Sequence, residues 1–181
     1  MLDLLTAPAM AATPAFTTVA ELVDSYGLVK TSRELSMSNN TLVKRIKEPG
    51  TFTLPELGLL AKMCETDLLT IIGRVARETN PDLFTPAGRK GLKKELPGFT
   101  TIAELIHSFG GRYSTATKLG MSPNTLASRM KKPEGFMLAE LVLVAKIAEA
   151  DLLTVAKLAQ HQIDTHTPPP TPTLGRPPFS N

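Results

Sequence analysis

Apolar residues recur every three or four positions through most of the chain, and no stretch alternates apolar and polar residues for long enough to be a strand. Near the start, Val19, Leu22 and Val23 share one side of a helical turn. They follow the capping-box sequence that runs from Thr18 to Glu21, in which hydroxyl and carboxylate satisfy free backbone N–H groups at a helix start. The pattern therefore predicts an all-α protein built from short helices.

The same pattern occurs twice. Residues 16–28 return as 99–111, and residues 35–71 return as 119–155, with 29 of the 50 aligned positions identical. A repeat of this length is a duplicated domain rather than the unit of a solenoid. We therefore predict two five-helix domains, one in residues 16–78 (copy one) and one in residues 99–163 (copy two). The remaining segments are predicted as a flexible N-terminal tail, 1–15, a linker, 79–98, and a Pro/Thr-rich disordered tail, 164–181.

Start and stop signals divide each copy in the same way. Helix one is expected to end at Gly27 or Gly110, and helix two to cover about residues 30–35 or 114–119. A tight turn follows, in which Gly120 accepts a left-handed backbone more easily than Ser36 does. The signals thus predict two short helices joined by a tight turn in each copy.

The second half of each copy is divided by further signals. Helix three begins after Ser38 or Ser122, both good N-cap residues. Helix four opens on a capping box at Thr53, but copy two has Met137 in that position, so its cap is predicted to be lost. Helix five follows Asp67 and its counterpart in copy two. Each copy is thus predicted to hold five helices.

Bulk composition narrows the function only slightly. The formal net charge is +3, with copy one neutral and the surplus divided between the linker and copy two, so overall charge does not point to nucleic acid. The only cysteine, Cys64, aligns with Ala148 and reads as a small buried residue. The N-terminus lacks early Lys or Arg and a continuous apolar run, and no stretch is apolar enough to span a bilayer. We expect a soluble, cytoplasmic protein without membrane association.

Catalytic and metal-binding patterns do not stand out. His107, His161 and His166 have no metal-like spacing with Cys64, and His107 aligns with Asp24, as a surface residue would. No phosphate-binding glycine loop, nucleophilic triad or paired carboxylate repeats in both copies. We therefore expect neither an enzyme nor a cofactor or metal site.

The segments TSRELSMSNNTLVKRIK and TATKLGMSPNTLASRMK each consist of a short helix, a tight turn and a second helix that opens on polar residues. They resemble the helix-turn-helix of the phage repressor/Cro family. The family pattern has a small residue in helix two, matched by Ser32 and Ala116, and an aliphatic residue in the recognition helix, matched by Leu42 and Leu126. The resemblance extends over almost all of both copies and implies two tandem repressor-like domains.

One position departs from the family pattern. Three residues after Leu42 and Leu126 the family usually has an apolar residue, but this chain has Arg45 and Arg129. The core contact is then expected from Ile46 in copy one and from its counterpart, a methionine, in copy two.

The resemblance implies that helix three of each copy enters the major groove of double-stranded DNA. Asn can bond adenine, Lys can bond guanine or phosphate, and Val or Ala can meet a thymine methyl. Arg45, Arg129 and Lys132 are expected to contact phosphates. The predicted DNA-binding residues are Ser38, Asn39, Asn40, Val43, Lys44, Arg45 and Lys47 in copy one, and Ser122, Asn124, Ala127, Ser128, Arg129, Lys131 and Lys132 in copy two.

The sequence thus favours a sequence-specific DNA-binding regulator that supplies both halves of a DNA site from one chain. A flexible linker of this length spans about 25 Å and reaches about 66 Å when extended, so half-sites roughly 34 Å apart are within reach. Two alternatives stay open: a protein-interaction module, such as an antitoxin-like or scaffold protein, and an architectural DNA binder with little base specificity. The asparagines can also be simple helix caps and the lysines a solvated face. A homodimer or a protein partner, and the operator sequence, are left open.

Overall fold

The computed structural model describes residues 16–84, Leu96 and residues 98–165. These residues contain helices and no strand, so the all-α prediction is confirmed. The described residues contain ten α-helices, five in the segment predicted as copy one and five in the segment predicted as copy two. The bounds are α1 Val19–Tyr26, α2 Leu28–Glu34, α3 Asn39–Lys47, α4 Leu54–Met63, α5 Leu68–Thr79, α6 Ile102–Ser108, α7 Gly111–Lys118, α8 Pro123–Lys131, α9 Leu138–Ile147 and α10 Leu152–Thr165.

The first helix of each group starts on the predicted capping box. The Thr18 hydroxyl accepts the Glu21 N–H at 3.2 Å, and the Thr101 hydroxyl accepts the Glu104 N–H at 3.1 Å. The cap of α9 was predicted to be lost, but half of it remains. There the Glu140 carboxylate accepts the Met137 N–H at 2.9 Å, because this half of a capping box does not depend on the N-cap side chain.

The second helix of each copy starts earlier than predicted. α2 begins at Leu28 and α7 at Gly111, each preceded by a positive-φ glycine, Gly27 at 85° or Gly110 at 104°. Such a glycine lets the chain turn from one helix directly into the next, so few residues are left between them. α7 is one residue longer than α2, which accounts for the extra residue of copy two.

The last helix of each copy caps the first. The Glu78 carboxylate accepts the Val19 N–H at 3.0 Å. The aligned residue in copy two is Gln162, which is 3% exposed and makes two bonds: its oxygen accepts the Ile102 N–H at 3.2 Å, and its amide donates to the Met130 carbonyl at 2.7 Å. The bonds to the Val19 and Ile102 N–H groups join residues about 60 positions apart in the chain. They therefore connect the last helix of each copy to the first.

The two copies pack against each other around equivalent residues. Thr53 and its counterpart Met137 form an isolated antiparallel bridge, and the Leu138 N–H donates to the Phe52 carbonyl at 2.8 Å. Antiparallel pairing of equivalent residues is what a local two-fold axis produces. The 3-10 turn Pro49–Thr51 contacts α9, its counterpart Pro133–Gly135 contacts α4, and α5 contacts α10.

The pseudo-two-fold interface is closed on one side and open on the other. Gly50 is buried against α9, where an added Cβ would lie 3.1 Å from the Cβ of Ala139. α5 also packs on α9. On the other side an apolar groove of about 380 Å³ separates α4 from α10, and it is lined in part by Leu54, Leu59 and Ile163. The buried apolar residues of both copies form one contiguous cluster.

The last helix of each copy extends past the predicted boundary of that copy. α5 runs through Thr79, and a 3-10 turn, Pro81–Phe84, continues into the predicted linker. α10 includes Asp164 and Thr165, the first two residues of the predicted C-terminal tail. The predictions for residues 1–15, for most of the linker and for residues 166–181 lie outside the described residues.

Candidate nucleic-acid interface

The α2–turn–α3 segment of copy one is held together by backbone and side-chain bonds. The Met37 N–H donates to the Ser32 carbonyl at 2.9 Å, and the Ser32 hydroxyl donates to the Asn39 side-chain oxygen at 2.5 Å. Ser36, in the turn, has a φ of 53°, which is the left-handed conformation. A serine adopts it at a higher energetic cost than a glycine does, as expected from the sequence. Asn39 was predicted to read bases, but its side-chain oxygen accepts a hydrogen bond that joins α2 to α3.

Copy two builds the same turn without that side-chain bond. The Met121 N–H donates to the Ala116 carbonyl at 3.0 Å, and Gly120 supplies the left-handed residue at φ 66°. Ala116 and Pro123 stand where copy one has the bonded serine and asparagine. Proline at the first helical position has no N–H to satisfy, so α8 starts without loss.

Ser38 and Ser122 act as N-caps. Each hydroxyl accepts the N–H of the residue three positions on, Thr41 or Thr125, at 3.1 Å, and lies 2.8 Å from that residue's own hydroxyl. These two serines were predicted both to start helix three and to face DNA. The structure shows the capping role. These bonds leave the two serine hydroxyls little capacity to bond a base as well.

Most of the other predicted residues are exposed on the outer side of α3 and α8. The Asn40 and Asn124 side chains make no hydrogen bond within the described residues, so both amides are available to a ligand. Ala127 is half-buried, and Val43 is 37% exposed. The exposed charged and polar residues are Asn40, Lys44, Lys47, Asn124, Ser128, Lys131 and Lys132.

Arg45 and Arg129, predicted to contact phosphates, point inward instead. The Arg45 guanidinium lies 2.9 Å from the Glu56 carboxylate, donates to the Thr51 carbonyl and sits 5.8 Å from the centre of the Phe52 ring. Its side chain is 19% exposed. This arginine is thus bound to the start of α4, and a phosphate would have to displace a carboxylate to reach it.

Arg129 repeats this arrangement in copy two, where it forms an ion pair with Glu140 at the start of α9. Burial lowers the pKa of Arg129 from its ordinary value. The core contact that the sequence assigned to the next residue is present: Met130 is 8% exposed, and Ile46 packs partly buried against the core. The departure from the family pattern is therefore an internal ion pair that joins the third helix to the fourth.

Sequence reasoning missed three residues in the first turn of α2 and α7. Val29 and Tyr113, which occupy equivalent positions in the first turn of α2 and α7, are 59% and 67% exposed. Arg112 lies beside Tyr113, with its guanidinium 5.0 Å from the centre of the phenol ring. Because Arg112 and Tyr113 do not match their counterparts in residue type, a search for features shared by both copies passes over them.

The described residues also bear on metal binding and on membrane insertion. Among the described residues, no three or more His, Cys, Asp or Glu side chains are grouped so as to hold a metal ion. No helix in that part of the chain is both long and apolar enough to cross a membrane. Cys64 is buried, and burial raises the pKa of its thiol.

Comparison of the chain with protein-family models, with curated proteins and with solved structures found no match. The residues of α3 and α8, and the way in which they are held, are therefore the features that indicate a function.

Proposed function

We propose that the chain is a sequence-specific double-stranded DNA-binding protein, a transcriptional regulator that uses α3 and α8 as its two recognition helices. One observation carries the proposal: in both copies the third helix is fixed from the inside, by an N-cap serine and an arginine–glutamate pair, while its outer side keeps free amides and lysines. Such a surface suits a major groove, which admits a helix and offers hydrogen-bonding base edges.

The exposed side chains supply the chemistry of base reading. An asparagine amide can bond adenine at two atoms, which fits Asn40 and Asn124. Lys47 and Lys131, near the ends of α3 and α8, suit phosphate or guanine. Val43, with its partly exposed methyl groups, suits a thymine methyl. These five residues replace the longer predicted set as the core of the proposal.

The packing of the two copies supports binding to a single, roughly palindromic site. A two-fold rotation keeps equivalent points at the same height along its axis, so α3 and α8 lie at the same height in the two copies. Their C-terminal ends are each one residue away from the 3-10 turns that form the interface. Dimeric helix-turn-helix proteins place two recognition helices in this relation, with half-sites about 34 Å apart.

The first experiment is selection of bound sequences from a random duplex pool at physiological salt. The proposal expects an enriched sequence with two related halves. Binding without enrichment favours an architectural DNA binder, and absence of binding favours a protein-interaction module.

The second experiment determines which copy reads which half-site of the DNA. Asn40→Ala should relax the preference in one half-site and Asn124→Ala in the other, because a two-point contact contributes about 1–3 kcal/mol of discrimination. The half-sites should also differ, since Lys44 in copy one is replaced by Ser128 in copy two. A perfectly palindromic optimum, or the same change in both variants, would show instead that a homodimer reads through one copy.

The third experiment concerns phosphate contacts. Changing Lys47 and Lys131 to Ala should flatten the logarithmic dependence of affinity on salt by about 0.9 for each phosphate that is no longer neutralised. Lys62 and Lys146, equivalent exposed lysines of α4 and α9, provide the matched control and should leave that slope unchanged. Equal effects of the two pairs would remove α3 and α8 from the binding surface.

The fourth experiment tests the packed arrangement. Gly50→Val should force η1, the 3-10 turn Pro49–Thr51, away from both α9 and α5, because even a Cβ would lie 3.1 Å from the Cβ of Ala139 and 3.0 Å from the methyl group of Thr79. We expect the variant to lose its preference for one half-site spacing while each half-site is still read. Gly58→Ala is the control, since nothing lies within 4 Å of its added Cβ. An unchanged spacing preference in Gly50→Val would mean that the interface does not set the spacing.

A further inference from the structure

Copy two has a groove beside its recognition helix that is lined by three basic side chains. Its volume is about 290 Å³, and it lies between α6, α7 and α8. The basic residues come from all three helices: His107 from α6, Arg112 from α7 and Lys131 from α8. The rest of the lining is apolar and includes Ala127, which stands on the proposed DNA-reading side of α8. A groove with this lining suits an anion.

No carboxylate lines the groove. On α6 the nearest acidic residue in sequence is Glu104, whose carboxylate accepts the Thr100 N–H at 2.8 Å and the Thr101 N–H at 3.4 Å. The first of these bonds holds the pKa of Glu104 below its usual range, so it stays ionised and committed to the start of the helix. On α7, Arg112 stacks on Tyr113 and donates to its hydroxyl at 3.2 Å, which keeps the guanidinium positioned but charged.

Copy one lacks this combination. The residue aligned with His107 is Asp24. Within the second helices the buried Thr31 and Thr115 correspond, so Leu28 takes the position of Arg112, and Gly111 is the extra residue of copy two. Only Lys47 matches Lys131 in charge. The equivalent surface therefore carries one cation and one exposed carboxylate, which repels an anion.

On the basis of the proposed function, we infer that the groove of copy two holds one backbone phosphate of the DNA, between His107, Arg112 and Lys131. Copy two then anchors the duplex, and copy one adds sequence discrimination with less phosphate attraction. A protonated imidazole attracts a phosphate and a neutral one does not, so a fall in pH from about 8 to about 5 strengthens the anchor. This assigns different roles to two domains that are related by duplication.

The test measures the affinity of the full chain for its selected duplex by fluorescence anisotropy, in a buffer without phosphate and at constant ionic strength, across this pH range. The affinity of the unaltered chain should rise by roughly three- to fivefold as the pH falls, the size of one exposed ion pair. His107→Gln should remove most of this rise, whereas His161→Gln, on α10 and outside the groove, should keep it. Unchanged thermal unfolding of both variants makes the comparison valid.

Two exchanges sharpen the test. His107→Asp gives copy two the residue of copy one and should weaken binding by roughly three- to fivefold even at high pH, because a carboxylate then faces the phosphate. Asp24→Asn should have the opposite sign, a small gain in affinity that does not depend on pH. The base preference at the half-site read by Asn124 should stay the same in every variant, since none of them alters the outer side of α8.

Three outcomes overturn the inference. If His107→Gln follows the same pH profile as the unaltered chain while base preference is intact, the groove holds no DNA phosphate and the proposed function stands. If, in that case, inorganic phosphate at constant ionic strength still raises the unfolding temperature of the unaltered chain but not that of His107→Gln, the groove is a free-anion site rather than a DNA contact. If the unaltered chain enriches and binds no duplex, the proposed function itself is wrong, and this inference falls with it.

Discussion

The third helix is held by an arginine–glutamate pair in both copies, but by a side-chain hydrogen bond to the second helix in copy one alone. In copy one a hydrogen bond from Ser32 to Asn39 joins α2 to α3, whereas copy two has Ala116 and Pro123 at these positions. The arginine–glutamate pair behind the helix is kept in both. The arginine–glutamate support is therefore common to the copies, while the side-chain bond between the second and third helices is not. On the proposed function, this division fits two domains that share a scaffold and read different half-sites.

The shared support is where we expect the largest effect. Arg45→Ala should lower the free energy of unfolding by roughly 2–4 kcal/mol, because it leaves the Glu56 carboxylate partly buried without its partner. Arg129→Ala should do the same through Glu140. Chemical denaturation measures both.

The matched control is Lys47→Ala, an exposed residue on the same helix, which should change stability by less than about 0.5 kcal/mol. Adding Glu56→Gln to Arg45→Ala should restore part of the loss, since glutamine can still cap the Thr53 N–H without an unpaired charge. An Arg45→Ala protein of full stability with a flatter salt dependence of DNA binding would return Arg45 to the phosphate role that the sequence suggested.

The caps from the last helix to the first give the next comparison. Gln162→Glu should destabilise copy two by roughly 2 kcal/mol, because a carboxylate cannot donate to the Met130 carbonyl and both groups are buried. Glu78→Gln in copy one should change stability by less than about 1 kcal/mol, since Glu78 only accepts, from the Val19 N–H. Thermal unfolding of the two variants decides the matter, and equal losses would mean that the second bond of Gln162 contributes nothing.

Local signals explain why the helices could be predicted. The capping boxes at Thr18 and Thr101 and the serine caps of α3 and α8 act over three residues, so their sequence pattern is enough. The start of α2 was misplaced because Gly27 ends one helix and begins the next, which a rule for isolated helices does not anticipate.

The orientation of side chains depended on partners that are far away in the chain. Arg45 was assigned to DNA because its partner Glu56 lies on another helix, and nothing in the local pattern of α3 indicates the pair. The bridge between Thr53 and Met137 likewise depends on how the two copies pack against each other. The linker between them limits only their greatest separation and does not determine that packing. The exposure of Asn40 and Asn124 could be predicted from the sequence because the periodicity of a helix already separates its outer side from its buried one.

The hydrogen bond found only in copy one should have an intermediate effect. Ser32→Ala should cost about 1 kcal/mol, because it removes the bond to Asn39. The double variant with Asn39→Pro reproduces the pair of copy two and should cost less than the sum of the single changes. A double-mutant cycle from urea unfolding measures this coupling. Strict additivity would mean that Ser32 and Asn39 do not stabilise the turn together.

The smallest expected effect concerns the residue that lets the chain turn between the second and third helices. Ser36 has a φ of 53°, and the aligned residue in copy two is Gly120 at 66°. A left-handed non-glycine residue costs roughly 1–2 kcal/mol, and part of this is offset because glycine loses more chain entropy on folding. Ser36→Gly should therefore stabilise copy one by about 0.5–1 kcal/mol, and Gly120→Ser should destabilise copy two by a similar amount. The second effect is conformational rather than steric, since no atom lies within 4 Å of a Cβ added at Gly120. Urea midpoints of the two variants provide the measurement. If both exchanges shift the midpoint in the same direction, the left-handed backbone is not what distinguishes the two turns.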